Sequence, residues 1–415
     1  MNTFFDELET RAPEVRERAL MALLPQQIAN AQKNTSAFAQ LLKDVDARTI
    51  TSRQALASLP VTRKSELQTL QKAGQDGDVF GGFSALVRGP RMPRLFSSPG
   101  PIYEPEGTAK DYWRAGRAMY AAGFRAGNLA HNSFSYHMTP GAFIMESGLH
   151  AVGCTVFPAG IGQTEQQLEA ITALRPNGFV GTPSFLRILV EKAAEVDCDI
   201  SSMAIGLVGG EAFPPSLRDW FTDRGMAIYQ CYATADLGLI AYETEAREGL
   251  VIDEGVVVEI VRPGTGEPVS EGEVGELVVT TLNADYPLIR FGTGDLSAVL
   301  PGQCPTGRTN IRIKGWMGRA DQTVKIRGMF VHPAQVAAIA RRFPQVLKAR
   351  LVVSGEMAND SMHFLAEAEV KDESLGQLIS EAIRDVTKLR GTVELLTPGS
   401  LPNDGKVIED ARSYK

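Results

Sequence analysis

From about residue 107 to 232 the chain alternates helix-period and strand-like apolar segments, and this alternation constrains the fold more than any other feature. The spacing predicts a helix over roughly 108–124, a strand in "NLAHNSFSY", a helix in "GAFIMESGLHAVG" and a strand in "CTVFPA". Then come a helix in "TEQQLEAITALR", a strand in "GFVGTPS", a helix from Phe185 to about Glu195 and a strand in "AIGLVGG". A helix in "SLRDWFTDRG", ending in glycine, and a strand in "AIYQCYA" complete the series. Strands separated by helices imply a parallel sheet covered on both faces. Such sheets bind ligands beyond the carboxyl ends of their strands. The segments to search are therefore Phe134–His137, Thr182–Ser184, Gly209–Glu211 and Tyr232–Asp236.

The flanks read differently. Residues up to about 48 carry apolar positions at helical spacing, and "LASLPVTRKSELQTL" holds a proline turn and a helix start, with Thr62 or Ser65 as cap. From about 250 to 315 short strands with Gly/Pro turns predict a small β-barrel or antiparallel sheet. Beyond it the pattern predicts a small α+β module: helix 333–342, strands 348–354 and 362–370, helix 374–388 and strand 391–396.

Composition narrows the class. A net charge of -7 argues against a nucleic-acid partner. The four cysteines form no CxxC pair and the five histidines are dispersed, which disfavours a zinc site. No apolar run approaches a membrane span, and the start is acidic and helical, unlike a signal peptide; a cytoplasmic enzyme is the expectation. Neither GxGxxG after a first strand nor GxxxxGK[ST] is present, so a nicotinamide oxidoreductase or a P-loop ATPase is disfavoured.

Several stretches, in order, are similar to motifs of one family. "SLPVTRKSEL", "GCTVFPAGIGQTEQQLEAITALRPNGFVGTPSF", "VGGEAF", "YATAD", "PLIRFGTGDLS", "GRADQTVKIRGMFVHPAQV" and "GSLPNDGKVIEDAR" resemble the phenylacetate–coenzyme A ligase branch of the adenylate-forming enzymes along nearly the whole chain. The resemblance implies an N-terminal α/β domain over 1–320, with doubly wound parallel sheets and a β-barrel subdomain at about 250–315. It also implies a small mobile α+β domain over 321–415, hinged at Asp321. The activity implied is activation of a carboxylate by ATP to an acyl-AMP, followed by transfer to coenzyme A. ATP/AMP, Mg2+ and coenzyme A are the implied cofactors. An aryl or short to medium acyl acid is the implied substrate, and a homodimer is expected by analogy.

The same resemblance assigns roles residue by residue. Asp295 would accept hydrogen bonds from the ribose hydroxyls, and Tyr232 would stack on adenine. Gly209, Gly210, Glu211, Ala212 and Ala233 would let backbone approach the base, and Arg319 would meet the nucleotide. Asp236 stands where the family has a glutamate that ligates magnesium, and Ala235 replaces a hydroxyl residue. Gly328 would line the thiol tunnel. Lys406 would stabilise the carboxylate oxygen and the α-phosphate during adenylation. Phe134, Tyr136 and His137, with Met138 and Phe143 nearby, would line the acyl pocket, and His137 reads otherwise as a core histidine.

The departure is at the phosphate loop. Where the family has "SSGTTGKP", this chain has "SSPGPIYEP". Ser97, Ser98 and Gly100 remain as phosphate-binding groups; two prolines delete N–H donors, the lysine is lost, and a glutamate would repel phosphate. Two alternatives follow: an impaired homologue that binds nucleotide or acyl-CoA in a regulatory role, or a ligase that loads a carrier-protein thiol.

Overall fold

A computed structural model describes residues 3–74, 77–99, 101–320, 324–326, 329–355, 360–370, 372–402, 404 and 406–412. The chain divides into two compact units, one comprising Met1–Val258, Val279–Phe291 and Leu300–Trp316, the other Glu259–Val278, Gly292–Val299 and Met317–Lys415.

In chain order the elements are α1 (Pro13–Asn34), α2 (Ser36–Leu41), α3 (Arg53–Ala57), β1 (Thr62–Arg63), α4 (Lys64–Ala73), β2 (Arg94–Ser98) and β3 (Ile102–Glu106). The alternating region supplies α5 (Gly116–Ala121), β4 (Leu129–Asn132), α6 (Gly141–Val152), β5 (Thr155–Pro158), α7 (Thr164–Leu174), β6 (Gly178–Gly181), α8 (Pro183–Glu195), β7 (Ile205–Val208), α9 (Pro215–Thr222) and β8 (Ala227–Thr234). Then follow β9 (Gly238–Glu243), β10 (Leu250–Ile252), β11 (Val256–Val261), β12 (Gly275–Thr281), β13 (Phe291–Ser297), β14 (Val299–Leu300) and β15 (Arg312–Ile313). The last are β16 (Val324–Ile326), β17 (Met329–Val331), α10 (Pro333–Arg341), β18 (Val346–Ser354), β19 (Ser361–Ala368), α11 (Glu373–Thr387), β20 (Thr392–Leu396) and β21 (Ile408–Asp410).

A nine-stranded sheet runs in the order β14-β15-β10-β9-β8-β7-β6-β4-β5. Its β5-β4-β6-β7-β8 half is parallel, as the alternation predicts, whereas β9, β10 and β15 pair antiparallel. The inner strands β4, β6 and β7 are nearly wholly buried, and β6 and β7 read as apolar runs without alternation for that reason, whereas the edge strand β5 has no buried residue. Among the described residues no helix is long and apolar enough to cross a membrane.

The expected β-barrel at 250–315 does not form. Strands β11, β12 and β13 join β1 in an open four-stranded sheet, with β1 and β11 at opposite edges, while β10, β14 and β15 extend the large sheet. Spacing alone predicts short strands but not which sheet each one joins.

The expected helix over 108–124 is also shorter, covering only Gly116–Ala121. Asp111 and Arg114 take left-handed backbone (φ 51° and 63°), and the Asp111 carboxylate accepts the N–H groups of Ala115 and Gly116 at 2.8 and 2.9 Å. An aspartate that captures these donors starts the helix late. The residues it leaves out of the helix, Tyr112 and Trp113, are buried in the sheet core. Helix α4 is capped neither by Thr62 nor by Ser65: Glu66 accepts the Arg63 N–H at 3.0 Å.

Helices α5 and α6 meet at Gly148, where a Cβ would lie 2.5 Å from the Ala115 side chain and 2.6 Å from its backbone. Gly148→Ala is expected to destabilise the protein by about 1–3 kcal/mol through overpacking. A denaturant melt showing no loss of midpoint would refute this close-contact account.

In the second unit, β18, β19, β20 and β21 form a four-stranded sheet of order β20-β19-β18-β21, and α10 and α11 share its apolar core. The helices and the first three strands fall where the spacing predicts them, within two residues. The short strand β21, parallel to β18, has no counterpart in the sequence reading.

Candidate functional site

The strand ends of the parallel sheet do gather in the first unit. Gly210 has φ 78°, and a Cβ built there would sit 3.8 Å from the Phe134 ring and 4.0 Å from Thr182. At Gly209 a Cβ would come within 3.1 Å of the Cys231 sulfur, so the turn after β7 passes tightly over β8. Glu211 and Ala212 are exposed, with Glu211 accepting the Ser184 N–H at 3.4 Å. Tyr232 and Ala233 flank a register irregularity in β8 and are half-buried. Phe134, Thr182 and Gly210 thus lie together at the carboxyl ends of β4, β6 and β7.

Beside it lies the acyl-pocket segment. Tyr136 donates to Glu146 at 2.7 Å and accepts from Asn132 at 2.9 Å; burial, with Glu146, pushes its pKa up. Its ring meets Phe143 edge-on at 5.3 Å. His137 is exposed and is not a core histidine. The buried histidine is His131, held against Gln167 at 2.7 Å with its pKa lowered by burial.

The stretch read as a damaged phosphate loop is a hairpin. Strands β2 and β3 pair antiparallel from Arg94↔Glu106 to Ser98↔Ile102, with Pro99 in the turn; Gly100 lies outside the described residues. The Ser97 N–H donates to the Met138 carbonyl at 2.8 Å, and the Ser98 hydroxyl donates to the Glu104 carboxyl. Ser98 is therefore engaged within the hairpin rather than free for a phosphate. The expected repulsion by a nearby glutamate is also corrected. Glu104 points inward and is fully buried, and desolvation, with the charge of Asp236, pushes its pKa up to about 8. At neutral pH it is mostly uncharged.

Asp236 is buried too, with Oδ2 accepting from the Lys64 ammonium at 2.8 Å. Its Oδ1, Glu104 Oε2 and the Tyr286 hydroxyl are buried and have no hydrogen-bond partner among the described residues. The resulting cluster of Lys64, Ser98, Glu104 and Asp236 brings together residues from α4, β2, β3 and the β8–β9 turn. Sequence reading assigned no role to Lys64 and took Glu104 for a loop residue. The signal was present in the alternation Ile102-x-Glu104-x-Glu106 after a Pro-Gly-Pro turn, which is strand-like.

In the second unit Asp295 and Arg319 form an ion pair at 2.9 Å, with backbone pairing between them. Gly294 (φ 74°) makes room for this, since a Cβ there would lie 2.7 Å from the guanidinium. Arg319 is 56% exposed in its side chain, and Asp295 only 14%. Lys406 is exposed on the loop before β21, its ammonium 3.8 Å from Glu409. Asp321 and Gly328 lie outside the described residues. Among the described residues no three His, Cys, Asp or Glu side chains cluster as a metal site would require.

Residues 119–283 match the model of AMP-binding enzymes. A phenylacetate–coenzyme A ligase of Aromatoleum evansii is 31% identical over 73% of this chain and 70% of its own length. The chain belongs to the phenylacetate–coenzyme A ligase family. Another phenylacetate–coenzyme A ligase, from Thermus thermophilus, is 29% identical over 95% of this chain and 96% of its own. Among solved structures, an open conformation of 2-hydroxyisobutyryl-CoA ligase in complex with 2-HIB-AMP and CoA superposes with a TM-score of 0.71. It is 22% identical and covers 95% of this chain and 91% of its own, a likeness of fold.

Proposed function

We propose that this protein is an AMP-forming acyl- or aryl-CoA ligase that activates a carboxylate with ATP and passes the acyl group to coenzyme A. The observation that carries this reading is the membership in the phenylacetate–coenzyme A ligase family, with similarity to one relative over 95% of the chain; the family-like motifs that hold Asp295, Arg319 and Lys406 support it. In the first step a carboxylate oxygen attacks the α-phosphorus, and the bond to pyrophosphate breaks. In the second the thiol sulfur attacks the acyl carbon, AMP leaves and the thiol proton is lost to solvent. Both steps need reactants held in line and negative charge neutralised.

The roles proposed for the residues follow their chemistry. Asp295 takes the ribose hydroxyls as an acceptor, with Arg319 beside it as a cation for the nucleotide. Tyr232 offers a ring to adenine, and the Gly209–Ala212 turn offers backbone. Phe134, Tyr136 and Phe143 give the acid an aromatic surface, which favours an aryl or medium acyl group. Asp236 Oδ1, a hard oxygen with no hydrogen-bond partner among the described residues, would contribute one ligand to a magnesium ion that neutralises triphosphate charge. Lys406 supplies mobile positive charge to the carboxylate and the α-phosphate.

A carboxylate-dependent ATP–pyrophosphate exchange assay over a panel of aryl and short acids tests the proposal. Exchange with at least one acid is expected. No exchange with any acid, alongside binding of ATP or acyl-CoA, would favour the second reading, a binding homologue, which the closed hairpin and the engaged Ser98 hydroxyl support.

A further inference from the structure

Lys406 sits on an exposed loop, and a four-carbon side chain there would sample many positions. The loop itself is held by buried charge. Arg350, on β18, is only 4% exposed, and its guanidinium reaches a single neighbouring segment. It donates to the Pro402 carbonyl at 3.1 Å, to the Asp404 carboxylate, and to Glu409 at 3.0 Å. These partners bracket Lys406 on both sides. The Asp404 carboxylate passes the restraint on, because it also accepts the Lys406 backbone N–H at 3.1 Å. On β19 the buried Glu367 accepts the Leu401 N–H at 2.6 Å, and Lys348, opposite it in register, donates to the Pro402 carbonyl at 3.2 Å. On the other side β21 pairs with β18, and the Leu351 N–H donates to the Val407 carbonyl at 2.9 Å.

Burying a guanidinium is costly unless its donors are matched, and apolar packing would serve the sheet as well. Among the described residues the Arg350 terminal nitrogens donate only to Pro402, Asp404 and Glu409, and its buried Nε has no partner, so this arginine serves that segment rather than the core. Asp404 and Arg350 thus act together: the arginine orients the carboxylate, and the carboxylate fixes the peptide from which the catalytic ammonium projects.

We propose that Arg350 and Asp404, with Glu367 anchoring the loop entry, are positioning residues that fix the Lys406 backbone for the adenylation step. The proposal rests on the reading of Lys406 given above. Arg350→Lys keeps the charge but loses the planar fork that serves several acceptors.

The test compares two half-reactions in Asp404→Ala, Arg350→Lys and Lys406→Ala. One is ATP–pyrophosphate exchange, and the other is thioester formation from a pre-made acyl-adenylate and coenzyme A. Asp404→Ala and Arg350→Lys are expected to lower kcat for exchange about tenfold or more, with KM for ATP and thioester formation nearly unchanged. In a Lys406→Ala background the Asp404→Ala change should have no further effect, since both act through one ammonium. Equal losses in both half-reactions, or additivity with Lys406→Ala, would overturn the proposal and leave a structural role. Unchanged exchange in Asp404→Ala, while Lys406→Ala abolishes it, would overturn positioning alone. Unchanged exchange in Lys406→Ala would remove the underlying reading and the proposal with it. Asp404 is partly exposed, so its variant decides the matter even where Arg350→Lys fails to fold.

Discussion

Lys406→Ala is expected to lower carboxylate-dependent ATP–pyrophosphate exchange about a hundred- to a thousandfold while leaving ATP binding nearly intact. The side chain is exposed, and the one ion-pair partner it has among the described residues, the half-buried Glu409, is 3.8 Å away, so its removal opens no cavity and breaks no buried pair. What is lost is positive charge offered to an oxygen whose charge grows as pyrophosphate departs. Removing one such electrostatic stabiliser typically costs about 3–4 kcal/mol of barrier. Affinity for the ground state should change little, because interactions made only in the transition state set kcat. Exchange kinetics and equilibrium ATP binding, measured on one preparation with its melting curve, separate these terms. Exchange within twofold of the parent would take Lys406 out of the chemistry.

Glu104→Gln is expected to stabilise the protein increasingly as pH rises from about 5 to about 8. Burial and the negative charge of Asp236 hold the Glu104 pKa at about 8, against an ordinary 4.5, with the Ser98 hydroxyl and the Lys64 ammonium opposing them. Tyr286, buried nearby, brings no charge, since burial, with the negative charge of Asp236, holds its pKa well above the usual tyrosine value. The sign follows from proton binding. Between about pH 4.5 and 8 the folded chain keeps a proton that the unfolded chain has released, so stability is full below about pH 4.5, falls as pH rises from there to about 8, and levels off above it. The loss accumulates to about 5 kcal/mol at most. Glutamine keeps the shape and an acceptor for Ser98 but cannot ionise. Variant minus parent Tm should be small near pH 5, grow by several degrees towards pH 8 and level off above it. A difference independent of pH would mean that Glu104 is ionised throughout and that the hairpin is not neutral at its core.

These two residues mark the limits of what could be read from the chain. Lys406 was legible because it follows Asp404-Gly405 in a motif, and motifs are local. Asp295 and Arg319 were legible one at a time, but their ion pair joins positions 24 residues apart and needed the fold. Glu104 was misread because its meaning depends on the hairpin register: Phe96↔Glu104 pairing puts its side chain on the buried face, towards Asp236 and Lys64. The same holds for Arg350, unremarkable in "LKARLVV" until β21 returns beside β18.

The N-terminal segment makes the point for stability. Glu9 meets Arg308 and Tyr242 at 2.7 and 2.8 Å, and Arg16 meets Glu254 at 2.9 Å, pairs separated by more than 200 residues and almost wholly buried. Charged residues at helical spacing read as a solvated face, and nothing local distinguishes a solvated face from a buried network.

The sequence by itself determined the succession of helices and strands, the parallel character of the central sheet and the family. All of these rest on periodicities and motifs within short windows, where backbone geometry ties neighbours together. The tertiary structure alone decided that the middle strands stay open rather than closing into a barrel. It alone turned the suspected phosphate loop into a hairpin with a neutral glutamate facing inward, and set a buried arginine behind the Lys406 loop. Strand order, register and burial are set by packing between distant segments, and they decide whether a carboxyl is charged and where a flexible lysine can stand.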